Sequence, residues 1–198
     1  FNPVVAGAYD FFAWPHIAMV WPAIEKELQG VTGNVLEVGC GTGLVTSRLA
    51  RLPFQVTAVE PSQAMLIKAQ QRLKGQDVRL VVDRAQSLPV SSKFDALVMT
   101  YVLRHLKPEA LPEVASEMAR VTKPGARVVL ADLHLPLTGA FPAGVGSGNP
   151  NYLILGVMAA YDPASLARFL ENYGFQAKSV RFYPLSFVMR LDKSWQST

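Results

Sequence analysis

The chain has 198 residues, half of them hydrophobic and 17% charged, a composition that supports one folded core and excludes an extended disordered chain. Its formal net charge of +4 comes without a dense Lys/Arg block. Nucleic acid is therefore not an expected partner, while an anionic substrate or weak contact with a membrane or lipid surface suits the balance. A single cysteine, Cys40, excludes an internal disulfide and is compatible with a cytoplasmic location.

No apolar run approaches the roughly 18 residues of a spanning helix, and Phe1-Asn2-Pro3 lacks the charged start of a secretory signal. Residues 9–29 predict one or two helices interrupted by Pro15 and Pro22. Strand one is expected at Val35–Gly39, then a helix over Leu44–Leu52, strand two at Gln55–Glu60 and a helix over Gln63–Lys74. Strand three follows at Val78–Val82 and strand four at Phe94–Thr100. A helix from about Glu109 to Thr122 stops at Lys123-Pro124-Gly125, before strand five at Ala126–Asp132. Residues 136–150, rich in Pro and Gly, read as a loop. Tyr152–Tyr161 is apolar and predicts a buried or pocket-lining helix. Pro163–Tyr173 is a helix with Asp162 as N-cap and Gly174 at its stop. Gln176–Phe182 and Ser186–Leu191 are too closely spaced for a crossover helix and are expected to pair antiparallel. Short β-rich runs alternating with amphipathic stretches give an α/β fold: one Rossmann-like domain with a seven-stranded, mostly parallel sheet, an antiparallel final strand and helices on both faces.

The most informative stretch is Val35-Leu36-Glu37-Val38-Gly39-Cys40-Gly41-Thr42-Gly43. A buried strand enters a glycine-rich turn that opens a helix, letting a ligand approach the backbone closely. Dinucleotide sites favour G-x-G-x-x-G. Here the third glycine comes one place early, at Gly43, and position 44 is Leu. Glu37, two residues before the turn, repels a pyrophosphate but suits an ammonium group. Glu60, seventeen residues after Gly43, ends strand two, where a carboxylate can accept both hydroxyls of a ribose.

These residues resemble the class I S-adenosylmethionine-dependent methyltransferases, in particular the small-molecule branch (methyltransferase type 11) that includes ubiquinone- and menaquinone-biosynthesis enzymes. Val35–Gly43 resembles that family's first motif. Val59-Glu60-Pro61-Ser62-Gln63-Ala64-Met65-Leu66 resembles its second, with Met65 where an apolar side chain touches adenine. Phe94-Asp95-Ala96-Leu97-Val98 with Thr100 resembles the fourth strand and its exit, and Leu111 through Leu130 the helix, turn and fifth strand. The resemblance covers residues 30–135 well and the remainder loosely. It implies a single methyltransferase domain over 1–198: an N-terminal helical lid at 1–30, a donor-binding core at 31–135, and a variable segment with the last helix and strand pair at 136–198. It implies S-adenosyl-L-methionine as donor, S-adenosyl-L-homocysteine as product, no metal and a small-molecule acceptor. The donor-binding residues it implies are Tyr9, Glu37, Gly39, Cys40, Gly41, Gly43, Glu60, Pro61, Met65, Arg84, Ala85 and Thr100. Tyr9-Asp10 resembles a pair that helps close the donor site.

One departure stands out. Counting back from Leu88-Pro89 places Arg84, not Asp83, where the family has an Asp that accepts from the adenine amino group. Arg cannot accept. Backbone groups near Ala85 are left to hold adenine, with Arg84 stacking or facing solvent; Asp83 substitutes only if the strand end shifts by one residue.

Methyl transfer from a sulfonium needs proximity and exclusion of water, and a general base only when the acceptor must lose a proton early. Three histidines, His16, His105 and His134, share no metal-binding spacing. His105 and Tyr101, in the loop after strand four, are candidates for substrate contact or base; for His105 a packed loop residue is the preferred reading. His134, just past strand five, is a candidate by position alone, and His16 reads as structural. Cys40 lacks an activating neighbour and reads as a small filler. Phe11, Phe12, Trp14 and Trp21 either roof an acceptor pocket or, more plainly, pack as core or lid. The competing functions are a nicotinamide-dependent oxidoreductase, which wants a glycine at 44, and a non-catalytic S-adenosylmethionine-binding module.

Overall fold

The computed structural model describes residues 3–88, 93–134, 152–155 and 158–195, with the backbone alone for 3–9, 152–155 and 158–160. The loop expected at 136–150 lies outside the described residues.

The chain opens with one helix, α1 (Pro3–Glu27), in place of the interrupted helices expected from Pro15 and Pro22. Its buried stripe is Ala13, Ile17, Val20, Trp21 and Ile24, a spacing of three and four that Leu28 continues just past the helix end. Both prolines lie on the exposed stripe, seven residues apart. Their rings therefore lie on the water side, away from the packed stripe, and the helix continues through them.

Strand β1 (Gly33–Val38) leads through the glycine turn into a single helical turn, α2 (Thr46–Leu49). This element is shorter than expected. Residues 41–45 are consumed by the turn, and Pro53 disfavours helical geometry at Leu52. Strand β2 (Phe54–Val59) precedes α3 (Gln63–Arg72), whose N-cap Ser62 accepts from the Met65 N–H. Strands β3 (Val78–Val81) and β4 (Phe94–Thr100) follow. The chain then makes two short 3-10 turns, Leu103–His105 and Pro108–Ala110, before α4 (Leu111–Val121). The helix stop at Lys123-Pro124-Gly125 is absorbed into β5 (Thr122–Leu133), which bulges there: Phe94 pairs with Thr122 and Ala96 with Arg127. Gly125 takes the positive φ of 77° that the bulge demands.

The helix expected over Tyr152–Tyr161 is instead an antiparallel pair, β6 (Tyr152–Leu155) and β7 (Met158–Tyr161), with Tyr152 opposite Tyr161 and Leu153 opposite Ala160. Gly156 in the middle of the run lowers its helix propensity, and Tyr, Leu and Ile fit a pleated surface equally well. Periodicity cannot separate the two for so short an apolar run. Helix α5 (Pro163–Glu171) is capped as expected, the Asp162 carboxylate accepting from Ser165 N–H at 2.8 Å. Strands β8 (Phe175–Tyr183) and β9 (Ser186–Lys193) form the final hairpin.

The sheet order is β3-β2-β1-β4-β5-β9-β8. Strands β1 to β5 pair parallel, and β9 runs antiparallel to both β5 and β8. Helices α1 and α2 cover one face through Ile17, Val20, Leu49, Val35, Val98 and Val129. Helices α4 and α5 cover the other through Val114, Met118, Leu166, Leu36, Leu97 and Val128. The strand order reverses between β1 and β4, where Val38 is level with both Val59 and Met99. An open α/β sheet places its ligand crevice at that switch point, beyond the carboxyl ends.

Candidate functional site

A cleft of about 310 Å³ opens at that edge. Its floor is the glycine turn. Gly39, Gly41 and Gly43 have φ of 76°, 55° and 80°, a region that disfavours any side chain. Gly39 N–H and Cys40 N–H both donate to the Val59 carbonyl, at 2.7 and 3.1 Å, which binds the turn to β2. Val102 sits against Gly39, and a Cβ at Gly39 would collide with its methyl group. Gly43 serves a different contact, since a Cβ there would stand 3.3 Å from the Ala69 Cα of α3.

Glu60 forms one side wall. Its carboxylate accepts from Gly41 N–H at 3.1 Å and from Ser62 N–H at 2.9 Å. Burial raises its pKa, while these two donors oppose the rise. A carboxylate has about four lone-pair sites, so capacity remains for two further donors from a ligand in the cleft. Pro61, Met65, Ala85 and Thr100 line the same space. The Thr100 hydroxyl is buried and has no hydrogen-bond partner among the described residues.

Asp83 and Arg84 both border the cleft. The Asp83 carboxylate accepts from Arg84 N–H at 2.7 Å, and Arg84 is exposed. The end of β3 therefore brings Asp83 as an acceptor to the wall while Arg84 also reaches water. Pro89, used to align this stretch, lies outside the described residues.

Glu37, Cys40 and Gly43 are not on the cleft wall. Glu37 is buried beneath the turn, and its Oε2 has no partner among the described residues. Burial pushes its carboxyl up to about 7; Thr46 pulls it down and the charge of Glu60 adds to the rise. Cys40 is buried, and burial together with the charges of Glu37 and Glu60 pushes its thiol up, so it is an inert neighbour. The Tyr9 side chain lies outside the described residues.

The loop after β4 closes the far wall. Tyr101 has a φ of 57°, uncommon for a bulky residue, and its N–H donates to the Ala131 carbonyl at 2.7 Å. Tyr101 borders the cleft, but its hydroxyl is 2.9 Å from Ser186 Oγ and donates to the His16 carbonyl at 3.4 Å. A hydroxyl anchored there is a brace between β9 and α1. His105 borders the cleft and its Nε2 accepts from Arg104 Nε at 3.1 Å. The residue is exposed at the surface, yet desolvation against the cleft and the Arg104 charge lower its pKa. Its ring is thus neutral, with the Nε2 lone pair already used. His134 is not part of the cleft; its ring packs on Phe182 at 4.9 Å.

Sequence reasoning did not single out Val102, Leu106 or Gln86 as wall residues. It also passed over Thr42 and Arg72, which tie Asp10 to the turn. No spacing rule links residues 30 to 62 positions apart. Among the described residues no cluster of His, Cys, Asp and Glu could hold a metal ion, and no helix is long and apolar enough to cross a membrane. A larger open groove of about 1330 Å³ runs between α1 and the α2–α3 side; it includes Trp14, Arg48 and Arg51 but none of the turn glycines.

Residues 35–125 match a family model described as a methyltransferase domain. The chain is 33% identical over 110 residues to an uncharacterized methyltransferase of Alkaliphilus oremlandii (strain OhILAs), the match covering 56% of this chain and 49% of that protein. It thus spans about half the length of that relative. It is 31% identical over 179 residues to a demethylmenaquinone methyltransferase of Tropheryma whipplei (strain Twist), covering 80% of this chain and 74% of that one. Among solved structures, it matches the Burkholderia thailandensis 1,6-didemethyltoxoflavin-N1-methyltransferase with bound 1,6-didemethyltoxoflavin and S-adenosylhomocysteine. The TM-score is 0.72 at 19% identity, over 98% of this chain and 92% of that chain, a likeness of fold.

Proposed function

The chain belongs to the class I S-adenosylmethionine-dependent methyltransferases, and from that membership we propose that it moves a methyl group from S-adenosylmethionine to a small, apolar or aromatic acceptor. The observation that carries the reading is the pair of carboxylates at the glycine turn: Glu60 on the wall with lone pairs to spare, and Glu37 beneath with a buried, unpartnered oxygen.

These residues fit the donor. Glu60 would accept both ribose hydroxyls. Met65 and Ala85 would flank the adenine, and Asp83, in place of Arg84, would accept from its amino group. Glu37 is buried in the strand that enters the turn. Once ionised, at pH above about 7 or when a cationic ligand draws its proton off, it adds a negative field that favours a cationic amino acid at the turn. When bound, S-adenosylmethionine supplies a methyl group activated by the positive charge on sulfur. Thr100, Tyr101, Val102 and Leu106 shape the space beyond the turn, exclude water and orient the acceptor. The anchored Tyr101 hydroxyl and the engaged His105 nitrogen leave no residue of the described wall placed as a strong base. This suits an acceptor that is already nucleophilic.

An apolar or aromatic acceptor is supported by the Val102 and Leu106 wall and by the names of the relatives, one of which acts on demethylmenaquinone. The exposed Phe11, Phe12 and Trp14, with Arg48 4.7 Å over the Trp14 ring, favour weak contact with a lipid surface from which such an acceptor could be drawn. A cytoplasmic location is consistent with this reading. The test is transfer of label from methyl-labelled S-adenosylmethionine to a panel of hydroxylated quinones and N-heteroaromatics. Labelled product with wild type, and none with Glu60→Ala at the same donor concentration, is expected. No product from any acceptor, with donor bound, would reduce the protein to a binding module.

A further inference from the structure

Three residues far apart in sequence meet at the back of the glycine turn. Asp10 Oδ1 accepts from the Thr42 hydroxyl, and Asp10 Oδ2 pairs with Arg72 Nη2, each at 2.5 Å. Arg72 Nη1 donates to the Thr42 carbonyl at 2.7 Å and lies 3.1 Å from Thr42 Oγ1. Thr42 is the central residue of Gly41-Thr42-Gly43 and is buried. Asp10 is on α1, and Arg72 ends α3. One guanidinium therefore holds both the carbonyl of the donor turn and the carboxylate of the N-terminal helix. Lysine, a single point charge, cannot reproduce that fork.

The position of the cluster gives it a task. The buried stripe of α1 packs on the sheet from Ala13 onward, and the three residues just before it, Asp10, Phe11 and Phe12, are not buried. Phe11 and Phe12, between Asp10 and the first buried residue Ala13, are exposed. Through Thr42 and Arg72, Asp10 ties this end of the described side chains of α1 to the body. The same tie fixes Thr42, whose flanking glycines both have positive φ and little conformational preference of their own.

We propose that Asp10, Thr42 and Arg72 form a latch that makes closure of the N-terminal helix and the ligand-ready shape of the glycine turn a single equilibrium. Arg72 and Thr42 are positioning residues, acting on the donor through the backbone of the turn. The half-exposed pair, with Arg72 28% and Asp10 34% exposed, makes the latch one that can open. A ligand that orders the turn then also closes the helix, and opening the helix loosens the turn.

The donor-affinity arm of the test rests on the proposed methyltransferase reading; the exchange arm does not. Thr42→Val keeps the shape and removes the hydroxyl, Thr42→Ser keeps the hydroxyl, and Arg72→Met removes the fork while keeping most of the stem. Hydrogen exchange of the ligand-free proteins is compared at the α1 amides from Asp10 to His16 and at strands β1, β4 and β5. Selective acceleration in α1, about tenfold or more for Thr42→Val and Arg72→Met and close to wild type for Thr42→Ser, is expected. In the same variants the donor KM should rise about tenfold with kcat at saturating donor nearly unchanged. Exchange in α1 equal to wild type, or acceleration spread evenly over the strands, would overturn the latch whether or not the donor binds. Failure of wild type itself to bind S-adenosylmethionine would count against the functional reading and leave the exchange result to decide the latch.

Discussion

Replacing Glu37 by Gln isolates the least comfortable charge in the protein. Its carboxyl is buried, has an oxygen without a partner among the described residues, and is pushed from 4.5 up to about 7. The folded state binds this proton more tightly than the unfolded chain does. The stability due to it is therefore complete below pH 4.5 and is lost as pH rises through about 7. The size of that loss is on the order of 3 kcal/mol at pH 8. Glutamine has the same shape and no charge, so it escapes the loss. Thermal melts of both proteins from pH 4.5 to 8 are the assay. Glu37→Gln should melt about 5–10 °C above wild type at pH 8 and within a few degrees at pH 4.5, for a chain of this length. The gain should be accompanied by about tenfold weaker donor binding, because the buried negative field under the turn is gone. A variant less stable than wild type at pH 8 would refute the claim that Glu37 is a desolvated acid kept for its ligand.

Other expectations follow from the cleft. Glu60→Ala removes two charged acceptor sites and should weaken S-adenosylmethionine about a hundredfold by calorimetry, with the fold retained in circular dichroism. Asp83→Ala should weaken the donor about tenfold, whereas Arg84→Ala should leave it within threefold, since Arg84 is exposed and cannot accept. The reverse ranking would return Arg84 to the adenine site. His105→Gln should keep kcat within about tenfold of wild type; a drop of 10²–10⁴ would make it a general base.

The glycine turn, its bordering acids and the five parallel strands were legible because each leaves a local mark. Positive φ needs glycine, a buried parallel strand is a short apolar run, and a strand-end carboxylate stands out against it. The Asp162 cap and the final hairpin were legible for the same reason. Other features depend on what lies across space. Whether Pro15 and Pro22 break or only bend a helix depends on its surroundings, and both lie on the exposed stripe of a helix whose other side is anchored in the core. Tyr152–Tyr161 has no period that separates a short helix from a pair of strands, and pairing settled it. Tyr101 and His105 were candidates by position. Ser186, 85 residues away, and Arg104, beside His105, decide what their polar atoms do.

The central claim is that the Glu60 carboxylate and the side-chain-free turn, with Glu37 buried behind them, receive a cationic amino-acid nucleoside. Parallel calorimetric titrations of the folded wild-type protein with S-adenosylmethionine and with NADH at pH 7.5 test it most directly. Saturable binding of S-adenosylmethionine with Kd on the order of tens of micromolar, and none of NADH, is the expected result. Silence with S-adenosylmethionine at about millimolar concentration, or preference for NADH, would contradict it.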